Sequence, residues 1–474
     1  MNKTFLLPCL LLCFFCHLVA DEPRPLFIEG YSGQLSYAPG EEFKLHTSTS
    51  GRQYGIQIKR HGAKVETVFS KSGIRGNEHS IPENASSHGC KWPVGFKMPI
   101  PVDWKSGYYE ILLRTEDRGD KFVHRNRRTA EGSCYFILRA ANPGENSKIL
   151  LQFSVNTYNA YNNWGGFSLY GFHGRAKIQG NRVSFHRPPR TLFPNWEAPF
   201  VAWAENNGYE LEYASNMDLE LRPEILKNYR LVLSVGHDEY WSAAMRDNLE
   251  KFIAEGGNAA FFSGNSVCWQ VRWEAGDQAL TCWKQWFNQD PLYPNKKNHR
   301  LLSTLWSHHL VKRPENELTG VGFLHGGYHR SHGQFMDGKG AYTVHRPESW
   351  VFAGTKLEQK DEFGGKDTIV GYECDGCEID WRDGLPYPTY KDGTPKTFTI
   401  LATCPARWAP GDSYWYEKWP SPDHSGHAVL GVYTKGGTVF TCGSTDWSHG
   451  LRGKDPKVIQ ITKNVLDRLS KKAP

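Results

Sequence analysis

The most informative stretch for the fold class is residues 231–265, LVLSVGHDEYWSAAMRDNLEKFIAEGGNAAFFSGN. Two apolar runs of strand length, 231–235 and 259–263, flank a segment in which apolar residues recur at helical spacing: Met245, Leu249, Phe252 and Ile253. A serine that can cap a helix begins this segment, and two glycines that end a helix follow it, so a helix is expected over 242–255. A strand, a helix and a second strand in this order predict a parallel sheet with right-handed crossovers.

The same alternation continues on both sides of this unit. Further apolar runs predict strands at 149–155, 211–214, 429–433 and 438–442, and helices at 198–205 and 457–470. Between about 285 and 420, turn residues dominate and periodic runs are few. We therefore expect one large α/β domain over 143–474, with insertions at roughly 285–420.

The N-terminal part follows a different pattern. Residues 54–58 and 109–113 alternate apolar and polar residues with period two, and residues 134–138 form a continuous apolar run. Because no amphipathic helix separates these strands, the pattern predicts an all-β sandwich over 21–142. The segment Ala141-Asn142-Pro143-Gly144 is interpreted as the boundary. The predicted fold class is therefore α/β with an all-β N-terminal domain.

Composition and charge narrow the function classes. The chain has 474 residues, and its 56 basic and 50 acidic residues give a net charge of only +6, without long basic runs, so nucleic-acid binding is not expected. Residues 1–20 combine a lysine, an apolar stretch and a small residue before a polar segment, which is typical of a cleaved secretory signal. No later segment reaches membrane-spanning length. A secreted or lumenal protein without a membrane segment is the expectation.

Eight cysteines follow the signal, and an even number in an oxidising compartment is typical of disulfides. The candidates are Cys90, Cys134, Cys268, Cys282, Cys374, Cys377, Cys404 and Cys442. A pair between Cys268 and Cys282 across a short loop is expected, whereas the spacing of the others does not select a connectivity. The sequon at Asn84 predicts a glycan if the source is eukaryotic.

Polar and aromatic residues follow three of the predicted strands. The segments are 156–166, 236–241 and 264–265. Ligands of open parallel sheets bind beyond the carboxyl ends of the strands, so these segments are the expected site. His237 and Glu239, two apart on an extended segment, leave on the same face and can serve as metal ligands or as a base and a ligand. A carboxylate near a helix start with a hydrogen-bonded histidine is the alternative.

Six short motifs in order resemble those of one family, the large (beta) subunit of N,N-dimethylformamidase and its relatives. They are Asp103-Trp104-Lys105-Ser106-Gly107-Tyr108-Tyr109; Ala160-Tyr161-Asn162 with Trp164-Gly165-Gly166 and Ser168-Leu169-Tyr170; Gly236 to Trp241; Gly264-Asn265 with Trp269 and Arg272; Gly371-Tyr372-Glu373-Cys374-Asp375; and Asp446-Trp447 before Asn464-Val465-Leu466. The resemblance implies a β-sandwich followed by a glutamine-amidotransferase-like parallel α/β domain.

The resemblance also implies a mononuclear iron, in its ferric form, held by two tyrosines and a glutamate. Carried over by motif, the ligands are Tyr109, Tyr161 and Glu239, with Tyr108 and Tyr158 as substitutes if the match slips locally. His237, Asn265 and Glu373 fall on positions for proton transfer and substrate contact. Phenolate and carboxylate oxygens suit a ferric ion, which polarises an amide carbonyl and activates water; zinc is the alternative metal.

The expected function is hydrolysis of a small amide at a non-peptide carbon–nitrogen bond. The resemblance further implies a separate small subunit, and a homo-oligomer is compatible with it. The competing hypothesis, from a different class, is a secreted non-catalytic protein whose lectin-like sandwich and aromatic cleft bind glycans. The aromatic content of 14% suits either one.

Overall fold

The computed structural model describes residues 25–117, 128–331, 334–336 and 338–471, and the predicted signal lies outside them. The strands are β1 (Ile28–Ser32), β2 (Ser36–Tyr37), β3 (Glu42–Thr49), β4 (Gln53–His61), β5 (Val65–Arg75), β6 (Val94–Pro99), β7 (Gly107–Asp117), β8 (Arg128–Leu138), β9 (Ile149–Phe153), β10 (Arg182–Ser184), β11 (Glu212–Ser215), β12 (Leu231–His237), β13 (Tyr240–Ser242), β14 (Asn258–Gly264), β15 (Trp269–Glu274), β16 (Ala279–Thr281), β17 (Gly322–Gly327), β18 (Arg330–Ser331), β19 (Gln334–Phe335), β20 (Tyr342–Val344), β21 (Glu362–Phe363), β22 (Cys374–Gly376), β23 (Ile379–Arg382), β24 (Leu385–Pro388), β25 (Thr399–Arg407), β26 (Ser425–Lys435) and β27 (Gly437–Thr441). The α-helices are α1 (Ala85–His88), α2 (Val155–Ala160), α3 (Glu197–Asn206), α4 (Asp218–Leu221), α5 (Ala243–Ala254), α6 (Asn316–Thr319), α7 (Trp447–Arg452) and α8 (Pro456–Leu469).

Strands β1–β8 form two sheets, in the orders β1-β3-β6 and β2-β8-β7-β4-β5. One apolar cluster joins side chains of both, including Leu45 from the first sheet and Ile58, Ile111 and Phe136 from the second. The strands expected around 54–58, 109–113 and 134–138 are confirmed as parts of β4, β7 and β8. The N-terminal part is thus built mainly from strands. Among its described residues, the α-helical segment is the short α1. The division into domains at 142 stays a prediction.

A nine-stranded sheet forms the centre of the remaining chain, in the order β11-β9-β12-β14-β27-β26-β25-β20-β21. Its first five strands are parallel neighbours, as the strand–helix–strand pattern predicted. The other four strands pair antiparallel. Strands β25, β20 and β21 come from the region expected to hold insertions, so part of that region extends the main sheet.

The two best-defined helices begin where the sequence places a cap. The hydroxyl of Ser242 accepts a hydrogen bond from the Met245 backbone N–H at the start of α5. The carboxylate of Asp455 accepts hydrogen bonds from the backbone N–H groups of Lys457 and Val458 at the start of α8. Each of these bonds satisfies donors that a helix start leaves without a partner, which accounts for the accurate predicted starts.

Two local expectations are corrected. Residues 155–160, predicted partly as strand end and partly as loop, form the buried helix α2. All eight cysteines from Cys90 to Cys442 are free, buried thiols, so the predicted disulfides, including Cys268 with Cys282, are absent. The Cys282 thiol donates to the carbonyls of Gln270 and Ser303, and burial raises its pKa to about 12. These cysteines therefore behave as small apolar core residues.

Two surface expectations have different outcomes. Asn84 is exposed directly before α1, which is compatible with a glycan, and glycosylation stays a prediction. Across the described ranges, no helix combines the length and the apolar character that crossing a membrane requires.

Candidate functional site

The ends of three parallel strands meet at one cavity of about 360 Å³. Tyr161 follows β9 and α2, His237 is the last residue of β12, and Asn265 follows β14. Glu373 comes from a distant segment, directly before β22, and its carbonyl accepts a hydrogen bond from the Thr445 backbone N–H at 3.1 Å. The carboxyl edge of the parallel sheet is thus where the polar residues converge, as the general rule for such sheets predicts.

Close backbone packing brings Glu373 to the strand ends. A Cβ at Gly264 would lie 2.4 Å from the Glu373 carbonyl oxygen and 2.5 Å from the Thr445 nitrogen, so only glycine fits there. Asn265 then adopts the left-handed region, with φ of +49°. This conformation is uncommon for a residue with a side chain and is concentrated at functional turns.

The turn that carries Glu239 is held by α2 and by the chain after β14. The Glu239 backbone N–H donates to the Thr157 hydroxyl at 3.0 Å, and the Trp269 backbone N–H donates to the Glu239 carbonyl at 2.9 Å. Between His237 and Glu239, Asp238 points the other way and accepts a hydrogen bond from the Ser234 hydroxyl at 2.8 Å. The alternation expected for an extended segment therefore places His237 and Glu239 on the cavity side.

An imidazole and two carboxylates form the centre of the site. The His237 Nε2 atom lies 3.3 Å from Glu239 Oε2 and 3.1 Å from Glu373 Oε2. The Asn265 side-chain amide donates to Glu373 Oε2 at 3.2 Å. All four side chains are nearly inaccessible to solvent. A buried histidine between two carboxylates can pass a proton between them.

Two phenols complete this centre. The Tyr161 hydroxyl lies 3.1 Å from His237 Nε2. The Tyr170 hydroxyl lies 2.9 Å from both carboxylate oxygens of Glu239 and accepts a hydrogen bond from the Tyr240 hydroxyl at 2.8 Å. The Trp269 indole N–H also donates to Glu239, at 2.7 Å. Three hard oxygen donors, from Tyr161, Tyr170 and Glu239, therefore stand around one side of the cavity.

The loop from Tyr161 to Tyr170 is shaped by a buried arginine. The Arg187 guanidinium donates to the carbonyls of Asn162, Trp164 and Phe167 at 2.8, 2.6 and 3.0 Å. The Leu169 backbone N–H also donates to the Ala160 carbonyl at 3.0 Å. Since the planar guanidinium has donors in a fixed geometry, it holds three carbonyls of the loop at once and positions both phenols.

Burial controls the protonation states. It raises the pKa of Glu373 well above its usual range, and the nearby Glu239 raises it further. Burial also raises the pKa of Glu239, while the ammonium of Lys284 opposes that increase. Burial thus favours the protonated form of Glu373, and the Lys284 ammonium favours the carboxylate form of Glu239, a contrast that acid–base chemistry uses.

Lys284 is a buried cation that the sequence did not reveal. Its ammonium lies 3.4 Å from the centre of the Tyr170 ring and donates to the Leu169 carbonyl at 3.3 Å. Burial lowers its pKa to about 8. The backbone of Lys284 adopts a left-handed φ of +53°, which a residue with a Cβ adopts only at a cost. The surrounding fold thus imposes this position.

The structure brings five of the six predicted site residues together: Tyr161, His237, Glu239, Asn265 and Glu373. Tyr109 is the exception and corrects the predicted ligand set. It lies in the sandwich core, where its hydroxyl donates to the Lys105 carbonyl at 2.6 Å and its ring stacks on Trp104 at 5.2 Å between centroids. Successive side chains of a strand point to opposite faces of the sheet, and the Tyr109 side chain points into the core of the sandwich.

The substitutes for Tyr109 lie elsewhere as well. The Tyr108 hydroxyl donates to the Thr191 hydroxyl at 3.1 Å, and the Tyr158 hydroxyl donates to the Glu197 carboxylate. Tyr170 occupies the place beside Glu239 instead. It belongs to the Ser168-Leu169-Tyr170 motif of the resemblance, which is the signal that could have found it. Lys284 had no such motif.

A second group of potential metal ligands consists of His308, His309 and Glu417. Both imidazoles approach the same carboxylate oxygen, with His308 Nε2 at 3.4 Å and His309 Nδ1 at 3.3 Å. The Leu310 backbone N–H donates to His308 Nδ1, which leaves the proton of a neutral ring on Nε2, directed at Glu417. Because Glu417 is exposed to solvent, whereas Tyr161, Glu239 and Glu373 are buried, the cavity at the sheet edge is the better candidate.

Comparison with known proteins gives a consistent result. The family described as N,N-dimethylformamidase beta subunit-like, C-terminal, matches residues 55–460. The N,N-dimethylformamidase beta subunit of an Alcaligenes species is 24% identical over 449 residues, covering 81% of this chain and 55% of the relative. The beta subunit of Paracoccus aminophilus is 23% identical over 451 residues, with coverage of 81% and 55%. This chain spans about half the length of these curated relatives.

One solved structure, a family 123 glycoside hydrolase from Clostridium perfringens, aligns with 54% of this chain and 51% of its own at 10% identity. Its TM-score is 0.11, so this likeness carries no argument about the fold or the site.

Proposed function

The chain belongs to the N,N-dimethylformamidase beta subunit-like family, and from that membership we propose that it hydrolyses amides at non-peptide carbon–nitrogen bonds. The observation that carries the proposal is the buried pairing of Glu239 and Glu373 across His237 at the sheet edge. Relatives named for dimethylformamide support the amide class. A glycan-binding protein would not need two carboxyl groups buried against one imidazole.

We also propose a metal at this site, held by Tyr161, Tyr170 and Glu239. Their donors fit iron, because phenolic and carboxylate oxygens are hard ligands and Tyr170 already lies 2.9 Å from both oxygens of Glu239. A buried Asn265 side-chain oxygen without a hydrogen-bond partner in the described chain adds a polar atom with unused capacity near them. When bound, the iron would act as a Lewis acid on an amide carbonyl.

The protein's own groups account for the proton transfers. His237 accepts a proton from the attacking water, and its Nε2 atom lies within reach of both carboxyl groups. Glu373, whose pKa is raised by burial and by Glu239, donates a proton to the leaving nitrogen as the carbon–nitrogen bond breaks. Asn265 uses one amide hydrogen for Glu373, and its second can stabilise the negative charge that develops on the carbonyl oxygen.

Four further properties belong to the same proposal. The parallel half of the central sheet is of the glutamine-amidotransferase-like type that the resemblance implies. A separate small subunit joins this chain, because its relatives are named as beta subunits, and self-association into a homo-oligomer is compatible with that. The protein is secreted or lumenal after removal of residues 1–20. Zinc in place of iron would preserve hydrolysis with the same proton-transfer residues.

The test combines amine release from simple formamides and acetamides with elemental analysis of the purified protein. We expect stoichiometric iron, and a Glu239→Gln variant that loses both the metal and at least about 100-fold in kcat. Glu110→Gln is the control, since that carboxylate pairs with His61 in the sandwich. Full activity in Glu239→Gln, or no amine from any amide with correctly folded protein, would contradict the proposal.

A further inference from the structure

The wall of the cavity outside the polar centre is largely aromatic. The rings that line it include Trp269, Phe323, Tyr328, Trp408, Tyr414 and Trp415. Several pack on each other as ring pairs: the centroids of Trp269 and Trp415 lie 5.5 Å apart, and those of Phe323 and Trp408 lie 4.3 Å apart. These tilted and edge-to-face arrangements leave ring faces and edges towards the cavity, where another ring can join them.

Two further rings stand at the entrance. The Phe172 side chain is 72% exposed and that of Tyr414 is 58% exposed, although both also line the cavity. Phe172 lies beside Tyr170, with ring centroids 5.5 Å apart, and Tyr414 stacks on Trp415 at 4.7 Å. Large apolar side chains are usually withdrawn from water, and exposed ones at the rim of a concave site are typical of ligand-binding positions.

The size of the cavity exceeds what the smallest amides fill. Its volume of about 360 Å³ falls in the range of about 300–1,000 Å³ that encloses drug-sized ligands. A formamide with two methyl groups would occupy a minor part and leave water against the rings, which is unfavourable.

The charges of the lining residues favour a neutral ligand. Of the residues that line this described cavity, Lys284 is the one cation, and its ammonium already lies over the Tyr170 ring. Glu239, Glu373 and Asp412 line the same space. In the metal-free chain, a carboxylate on the substrate would meet more acidic than basic groups, which disfavours an anionic ligand there.

We propose that the substrate is a neutral amide that carries an aromatic ring, bound with its carbonyl at the polar centre and its ring against the aromatic wall. This proposal rests on the proposed amide hydrolysis and specifies its substrate class. For an N-aryl formamide, water adds to the carbonyl, the carbon–nitrogen bond breaks as the nitrogen takes one proton from the water, and the products are the arylamine and formic acid, which releases its proton to give formate.

The experiment separates binding from turnover. Calorimetry measures the binding of three compounds to the purified mature chain, together with any subunit that co-purifies. The compounds are formanilide, N-cyclohexylformamide, which has a similar size, and dimethylformamide. Amine release from each compound is followed in parallel. We expect formanilide to bind at least about 10-fold more tightly than dimethylformamide and more tightly than the cyclohexyl compound, because a ring pair adds to the area buried.

Variants at the entrance locate the effect. Phe172→Ala and Tyr414→Ala should each weaken formanilide binding by about 3- to 10-fold more than they weaken dimethylformamide binding. Trp381→Ala, which removes an exposed ring that does not line the cavity, is the matched control and should leave both unchanged.

The outcomes are distinct. Hydrolysis of dimethylformamide without tighter binding of formanilide overturns the substrate class and leaves amide hydrolysis standing. Equal binding of formanilide and N-cyclohexylformamide overturns the aromatic requirement. Binding of formanilide that depends on Phe172 and Tyr414, with no amine released from any amide, supports the ring site and overturns the proposed hydrolysis.

Discussion

Replacing single tyrosine hydroxyls discriminates between the ligand set that the sequence predicted and the one that the structure supports. Tyr109→Phe removes a hydroxyl that donates to the Lys105 carbonyl at 2.6 Å in the sandwich. Tyr170→Phe removes one that lies within hydrogen-bond distance of both oxygens of Glu239 and accepts from Tyr240. The two variants delete the same atom from two buried rings, so they serve as matched controls for each other.

The expected magnitudes follow from the hydrogen bonds that each variant breaks. Tyr109→Phe breaks one neutral hydrogen bond and leaves a carbonyl without that partner, which costs about 1–3 kcal/mol of unfolding free energy. Tyr170→Phe breaks a hydrogen bond to a carboxylate and one to a phenol, which costs about 2–4 kcal/mol in metal-free protein. Only Tyr170→Phe is expected to lose the metal, because Tyr109 lies outside the cavity.

Urea unfolding of the metal-free protein measures the first quantity, and elemental analysis of the folded variants measures the second. Tyr161→Phe should behave like Tyr170→Phe in its metal content. Iron lost from a folded Tyr109→Phe variant, with iron retained in Tyr170→Phe, would refute the assignment of the phenols and favour the ligand set that the sequence predicted.

Three further outcomes are expected. The folded-state pKa of Lys284, about 8, lies below its usual 10.5, so the unfolded chain binds more protons than the folded chain between these pH values. The free energy of unfolding of the wild type, relative to that of Lys284→Met, should therefore rise from about pH 8 to 10, by at most about 3 kcal/mol. Denaturant titrations at several pH values measure this difference. Protein starting at residue 21 and unfolded in guanidinium without reductant should titrate as eight thiols with a disulfide reagent, and a count near zero would restore the disulfide prediction. Ser242→Ala should lower the unfolding free energy by about 1 kcal/mol, since it removes the acceptor for the Met245 N–H, and an unchanged urea midpoint would contradict that role.

Local patterns predicted the regular elements well. The helix expected over 242–255 is α5, and the strands expected at 231–235 and 259–263 are parts of β12 and β14. These signals depend on periodicity and on caps, which involve residues close along the chain. The helix α2 was missed because its six residues are all buried and show no amphipathic period.

Site residues that follow predicted strands were also accessible to sequence reasoning. His237, Glu239 and Asn265 lie at strand ends, and one rule of parallel sheets groups them. Tyr109 was assigned by a motif in the sandwich, where the motif's presence does not tell which way each side chain points. Lys284 lies in a short, irregular segment, and nothing in its neighbours along the chain indicates a buried ammonium.

The amino-acid sequence by itself determined the strand–helix–strand unit over 231–265, the convergence of polar residues at one sheet edge and the family. Only the tertiary structure decided that Tyr170 replaces Tyr109 beside Glu239, that Lys284 lies over the Tyr170 ring, and that the cysteines are free thiols. The physical reason is the separation along the chain of the residues on which each property depends. Periodicity and capping act over a few residues, whereas burial, pKa and ligand geometry depend on side chains that are far apart along the chain and meet only when the sheets pack.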